Sequence, residues 1–303
     1  MPIVPSPAVA RAAEMLQLLS RRPTDAFNVS ELARALDLPR ATCDSIAQAL
    51  AQSGLVVRRN DLRYALGPAA IALGDAARTA NPLLQVASDS AEQLAREIGA
   101  CTAVSLRRGD SSTVAAVFDH GPTFGVRAQV GQTIAHLPPF GAAYVAWHDD
   151  ESAAWLARSA VPLRPVDRRR LEAALAQVRR LGFSATMASP RRDELEAALS
   201  TLASRPGAPH ARRTRDEVAT DMVRREYLVG DLDADTTQRI TLISAPVFDR
   251  GGRASASILL LGPDHALKGA EILRLGRRVV DAATQVTRLT GGALPATHPR
   301  DEG

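Results

Sequence analysis

Lysine is almost missing from this sequence: Lys268 is the only one, so nearly all of the 37 basic side chains are arginines. Guanidinium is permanently charged and grips phosphates and guanine edges through two donors at once, so the bias suits nucleic acid. A genome rich in arginine and alanine codons produces the same bias, and a formal charge of +4 does not by itself identify a DNA-binding protein. Aromatic residues are scarce at 4%, which leaves Ala, Val, Leu and Ile to build the core. The only cysteines, Cys43 and Cys101, lie in no CxxC pair and near no histidine cluster. That excludes a disulfide framework and a cysteine metal site, and fits a reducing cytosol. No stretch reaches the roughly 18 apolar residues of a membrane span. The opening Met1-Pro2-Ile3-Val4-Pro5 lacks the basic region and apolar run of a signal peptide, so a cytoplasmic protein with no membrane partner is expected. P-loop, GxSxG, HExxH and GxGxxG patterns are all missing, and the six histidines show no repeated ligand spacing. No catalytic residue, metal or cofactor is therefore expected. His136 and His148 fall near a candidate pocket, but scattered surface histidines are the default reading.

What is present is organised from the N-terminus. Ala8 to Ser20 reads as a helix with Val9, Ala12, Ala13, Leu16 and Leu19 at helical spacing. Asn28 followed by Glu31 has capping-box form and opens a second helix with Leu32, Ala33 and Leu36 on one face. Asp37-Leu38-Pro39 breaks it, and proline is tolerated where a third helix starts. There Cys43, Ile46, Ala47 and Leu50 should face inward, while Arg40, Thr42, Asp44, Ser45 and Gln48 face out. Two short helices joined by a tight turn, the second with a polar outer face, form the helix-turn-helix pattern. Leu55 to Arg58 and Leu62 to Leu66 read as strands around Arg59-Asn60-Asp61, a hairpin wing carrying Arg58, Arg59 and Arg63. Residues 1–80 hold nine arginines against seven acids. The electrostatic affinity of one such domain is therefore modest, and a dimer doubles the phosphate contacts.

The run Val29 to Thr42 resembles the second helix and turn of the IclR family of regulators. Tyr64-Ala65-Leu66-Gly67-Pro68 and Leu73-Gly74 resemble its wing exit and linker helix. Val130-Gly131, Gly182-Phe183, Ala245-Pro246-Val247-Phe248-Asp249 and Leu261-Gly262-Pro263 follow in the family's order. The resemblance covers most of residues 8–291. It implies an α+β protein: an N-terminal winged helix-turn-helix, a linker helix, and a C-terminal GAF-like α/β effector-binding domain. It also implies double-stranded operator DNA and a small-molecule effector as partners, and a homodimer or tetramer. The expected boundaries are 1–67 for the winged helix-turn-helix and 68–80 for the linker helix. The GAF-like effector-binding and oligomerisation domain is expected over 81–292, and a disordered tail over 293–303.

Read on its own residues, the C-terminal region gives a helix from Leu83 to Ile98 and strands at Cys101–Arg107, Thr113–Phe118 and Phe124–Val130. Helices follow near Gly141–Trp147, Ser152–Arg158 and Val166–Leu181. Two late strands, Arg239–Phe248 and Ala254–Leu261, precede a last amphipathic helix. Residues 188–238 are longer than the resemblance predicts. Leu195, Leu199 and Leu202 share a helical face, whereas Ser204 to Arg213 is polar and rich in breakers and reads as a mobile loop. Its Arg212, Arg213 and Arg215 read as solvated, with contact to DNA or a partner as the alternative.

In the IclR family, small anionic effectors sit against the segment after the Val-Gly pair and against polar residues on the two late strands. Here that segment reads Leu137-Pro138-Pro139-Phe140-Gly141-Ala142. The strand positions that are often cysteine and serine align with Leu242, Leu259 and Leu261. The resemblance thus makes Phe140, Gly141, Ala142, Leu242, Leu259 and Leu261 the candidate effector residues. Leucines offer a carboxylate no donors, and burying an unpaired charge is costly. Two readings follow: a pocket for a rather apolar effector, or a filled pocket on a constitutive DNA-binding or architectural dimer. The recognition helix departs as well, with Asp44 and Ser45 where the family often has histidine and arginine. Readout then rests on Arg40, Thr42, Ser45 and Gln48, with Arg58, Arg59 and Arg63 on the backbone.

Overall fold

The computed structural model describes residues 6–20, 22–121, 128–204, 208–225, 228, 232–262 and 265–299. The chain divides into two units, the first centred on Met1–Asn81 and the second running from Pro82 to the C-terminus.

In the first unit, α1 (Pro7–Ser20), α2 (Val29–Leu36) and α3 (Arg40–Gln52) precede a hairpin of β1 (Val56–Arg58) and β2 (Tyr64–Leu66), then α4 (Pro68–Thr79). The capping box forms as the spacing predicts: Glu31 N donates to Asn28 Oδ1 and Asn28 N to Glu31 Oε2, both at 2.9 Å. Two of the orphan donors at the helix start are thereby satisfied. Asp37 takes a left-handed conformation at the C-cap (φ 54°), and Pro39 sits at the N-cap of α3, so the helices meet in a tight turn. Cys43, Ala47 and Leu50 pack with Met15, Leu19, Leu32, Leu36, Val56 and Tyr64 into the unit's core. The inward face of α1 differs from the expectation. Met15 and Leu19 are buried, while Val9 is 68% exposed and Ala13 faces out. Gly67 closes the wing: a Cβ there would lie 2.2 Å from the Gly54 carbonyl oxygen, so no side chain fits. Proline at the start of α4 suits a first turn that has no hydrogen-bonded N–H to lose. No residue of α4 is buried, and Ile71 and Leu73 are exposed on it.

The second unit opens with α5 (Pro82–Ile98), β3 (Cys101–Arg108), β4 (Ser111–Asp119) and β5 (Thr133–Ala135). It continues through α6 (Ala142–Val145), α7 (Asp149–Ala157), α8 (Pro165–Leu181), β6 (Ser184–Met187), α9 (Arg192–Ser204) and α10 (Pro209–Arg224). The last elements are β7 (Thr237–Gln238), β8 (Ile240–Phe248), β9 (Ala254–Leu261), β10 (Leu267–Lys268) and α11 (Gly269–Leu289). Six strands form one antiparallel sheet in the order β5-β4-β3-β9-β8-β6, and β7 pairs separately with β10. Strand side chains alternate between faces. One face presents Val104, Ala185, Ile243, Ala245, Ile258 and Leu260 to α5 and α11, making the larger core. The opposite face presents Ala103, Val114, Leu242, Leu259 and Leu261.

Three expectations change. The strand expected over Phe124–Val130 lies partly outside the described residues, and from Ala128 the chain turns instead. Gln132 N bonds to Gln129 O at 3.0 Å and Gly131 is left-handed, so the third strand is β5, paired with β4. Part of the expected mobile loop is helix, because Pro209 starts α10, while 205–207 lie outside the described residues. The expected disordered tail is placed as far as Pro299. Buried His298 lies 5.4 Å from the Trp147 ring and 5.6 Å from that of Phe248, and 300–303 lie outside the described residues.

Candidate functional site

Two constellations stand out, one in each unit. In the first, α3 carries an outer face with Arg40, Ser45 and Gln48 exposed and Thr42 half-buried. Gln48 Nε2 donates to Asp44 Oδ2 at 2.9 Å, one helical turn away. This bond fixes the amide and occupies one carboxylate oxygen of Asp44. On the wing, Arg58 and Arg59 are exposed, and the Arg58 guanidinium rests 5.9 Å from the Tyr64 ring centre. Arg63 is placed elsewhere. Its guanidinium meets Glu31 at 3.0 and 3.2 Å and donates to the Ala26 carbonyl at 2.6 Å. The structure therefore turns Arg63 back onto the start of α2, where it reinforces the capping box. The cap bond from the Asn28 backbone, and then the Arg63 contacts, hold the Glu31 carboxyl below the usual carboxylate range. Arg212, Arg213 and Arg215 lie on α10 in the second unit, where Arg215 pairs with Asp216 at 2.6 Å.

In the second unit a cavity of about 200 Å³ opens on the sheet face away from α5 and α11. Phe140, Gly141, Ala142, Leu242, Leu259 and Leu261 all line it. Gly141 is left-handed (φ 84°) at the start of α6, and a Cβ there would press on the His136 ring at 2.7 Å. The side opposite the sheet comes largely from the long segment before β8. Leu195 and Leu199 of α9 and Met222 of α10 line the cavity, packed with Val218 against Ile134 and Phe140.

Sequence reasoning missed the hydroxyls. Ser112, Ser105, Ser244 and Ser184, from four strands of the sheet, line the same cavity with Thr186, Thr241 and Tyr144. Ser105 Oγ and Tyr144 Oη are 2.5 Å apart, and the phenol also reaches the Ser105 carbonyl at 3.1 Å. Burial pushes the Tyr144 hydroxyl above its usual range, so it is neutral. Among the described residues, no Asp, Glu, Lys, Arg or His lines the cavity. The expected surface histidine His136 is instead 1% exposed and stacked on Tyr144 at 4.5 Å. Burial, with Arg107 and Arg158 nearby, lowers its pKa to about 3, and neither ring nitrogen has a partner among the described residues.

The family model of the IclR helix-turn-helix domain matches residues 8–60. No curated protein matches the chain. Among solved structures, an IclR transcriptional regulator from Alicyclobacillus acidocaldarius is 20% identical at a TM-score of 0.64, covering 95% of this chain and 100% of its own. Pseudomonas aeruginosa HmgR is 18% identical at a TM-score of 0.60, covering 94% of this chain and 100% of its own. An IclR homolog from Microbacterium hydrocarbonoxydans, complexed with 4-hydroxybenzoate, is 16% identical at a TM-score of 0.59, covering 93% of this chain and 99% of its own. At these identities the likeness establishes the fold. Residues 8–60 are thus shown to form a helix-turn-helix domain of the IclR type, and the chain shares the fold of the IclR regulators along nearly its whole length.

Proposed function

We propose that the chain is a homo-oligomeric cytoplasmic regulator whose hold on operator DNA is controlled by a small, largely apolar effector in the cavity of the second unit. The observation that carries this reading is the cavity itself: about 200 Å³, open, and without a charged lining side chain among the described residues. An engineered cavity of ~150 Å³ admits benzene, so this one takes a single ring with a substituent. The Microbacterium homolog, whose structure holds 4-hydroxybenzoate, supports a ring-sized effector. The other reading, a constitutive architectural dimer, calls for a filled cavity, and the open space counts against it.

On the DNA side, Arg40, Thr42, Ser45 and Gln48 face base edges while Arg58 and Arg59 hold phosphates. The outward Ile71 and Leu73 of α4 support assembly of two copies, which brings two such faces onto successive half-sites. An effector that binds the DNA-competent and DNA-incompetent forms unequally shifts operator occupancy by its differential affinity.

The test has two stages. Genome-wide mapping of bound sites supplies an operator fragment. Fluorescence anisotropy on that fragment, with and without single-ring compounds, then reads the response. A fragment bound equally tightly with every ring compound that occupies the cavity would sink the ligand-responsive reading.

A further inference from the structure

The hydroxyls of the sheet differ in how much of their hydrogen-bonding capacity is already used. Ser257 Oγ donates to the Ala245 carbonyl at 2.9 Å, and Ser244 Oγ lies 2.6 Å from Ser257 Oγ. With the Ser257 proton committed to the carbonyl, the Ser244 proton goes to Ser257. The lone pairs of Ser244 are left facing the cavity. Tyr144 and Ser105 satisfy one another, and Thr241 reaches the Thr186 carbonyl at 3.3 Å. Ser184 is the exception. It is 6% exposed and lines the cavity, and its hydroxyl has no hydrogen bond among the described residues.

Ser184 and Ser244 are direct cross-strand partners between β6 and β8. Directly opposed residues hold their Cβ atoms ~5 Å apart on one face, so the two hydroxyls form a single two-point site. One point offers a free donor and the other a free acceptor. Beside them, Leu259 is the β9 partner of Ser244 and Leu242 the next cavity-facing residue of β8, so the polar pair has an apolar flank.

We propose that Ser184 and Ser244 select an uncharged donor–acceptor headgroup, an alcohol or a primary carboxamide, carried on a single-ring apolar body. This rests on the effector reading above and names the ligand class of that site. An alcohol accepts from Ser184 and donates to Ser244; a carboxamide does the same through its oxygen and its NH₂. A carboxylate only accepts. It would satisfy one oxygen on Ser184, set the other against the lone pairs of Ser244, and find no cation among the described lining residues. Selection against anions thus follows from the polarity of the pair as well as from the leucines beside it.

Benzamide and benzoate have nearly the same shape and differ in charge, so they separate the two cases. Calorimetric titration of the full chain without DNA at pH 7.5 should show benzamide and benzyl alcohol binding at least about tenfold tighter than benzoate. Ser184→Ala should weaken benzamide about fivefold, within the range of one neutral hydrogen bond. Ser184→Thr, which keeps the hydroxyl, should bind within about twofold of the parent. Thermal melts confirm that both variants are folded. Equal or tighter binding of benzoate would overturn the assignment. So would a folded Ser184→Ala variant with unchanged benzamide affinity, or failure of both neutral probes to bind at millimolar concentration. Adding operator DNA separates this proposal from the one it rests on. Benzamide that binds and leaves DNA affinity unchanged refutes ligand control while the headgroup assignment stands. Benzoate that binds more tightly and shifts DNA affinity does the reverse.

Discussion

The wing contains three arginines, and the structure gives them different work. Arg58 and Arg59 are exposed, whereas the Arg63 guanidinium is spent on Glu31 and the Ala26 carbonyl. The contrast becomes measurable through counterion release, because each phosphate neutralised contributes ~0.9 to the slope of log affinity against log salt. If each of two protomers on an operator loses one contact, Arg58→Ala should lower the slope by about 1.8. Between ~50 and ~200 mM salt the parent should then lose about 12-fold more affinity than the variant. Arg63→Ala should leave the slope where it was, since that side chain neutralises a carboxylate of its own domain. Its effect should fall on the start of α2, where Glu31 closes the capping box. The assay is anisotropy on one operator fragment across a salt series, with circular dichroism to confirm folding. A fall in slope for Arg63→Ala equal to that for Arg58→Ala would refute the placement of Arg63, and an unchanged slope for Arg58→Ala would refute phosphate contact by the wing.

Arg40→Ala should cost ~1–3 kcal/mol on the operator and little on unrelated DNA, as competition gel shifts would read; equal losses on both would remove Arg40 from base readout. His136 provides a pH test. Its pKa of about 3 lies below the ordinary 6.5, so the folded state favours the neutral ring. The stability this contributes is complete above about pH 6.5 and is lost at roughly 1.4 kcal/mol per pH unit as pH falls towards 3. Urea denaturation of His136→Phe should therefore show a shallower acid loss than the parent; parallel curves would contradict the buried, unpartnered ring. Gly276→Ala would place a Cβ 2.2 Å from the Phe183 ring on the helix-covered face of the sheet. An overpacked core costs ~1–3 kcal/mol, visible as a lower thermal midpoint; an unchanged midpoint would mean the ring has room to move.

How far the sequence foretold these features depended on how local their causes are. The bounds of α2 were legible because the Asn28–Glu31 cap is an interaction three residues long. The inward face of α3 was legible because its polar and apolar residues separate cleanly by spacing. The face of α1 was not: apolar residues surround much of that helix, so periodicity could not choose Met15 over Val9 and Ala13. Arg63 read as a DNA contact because its partner lies 32 residues away and belongs to the capping box of another helix. The cavity residues on β8 and β9 came together through family resemblance. The serines escaped notice because a lone serine on a half-buried strand signals nothing. Only the register, Ser184 opposite Ser244 and Ser105 opposite Ser257, turns separate residues into a site.

The long segment before β8 and the leucines of the sheet are physically linked. Leu242, Leu259 and Leu261 lie on a sheet face which, unroofed, would meet water. Exposing a leucine costs ~1.5–3 kcal/mol relative to burying it, so three such side chains call for a cover. α9 and α10 supply one, with Leu195, Leu199, Met222 and Val218 packed onto Ile134 and Phe140 above the cavity. The cover stops short of filling the space, and the ~200 Å³ that remains is lined by apolar side chains and hydroxyls. An empty apolar space forfeits the dispersion contacts that a close-packed interior would make. A neutral ring restores those contacts without introducing a charge that the described lining residues cannot pair. The apolar sheet face and the helices that cover it therefore act together, and both favour an uncharged occupant.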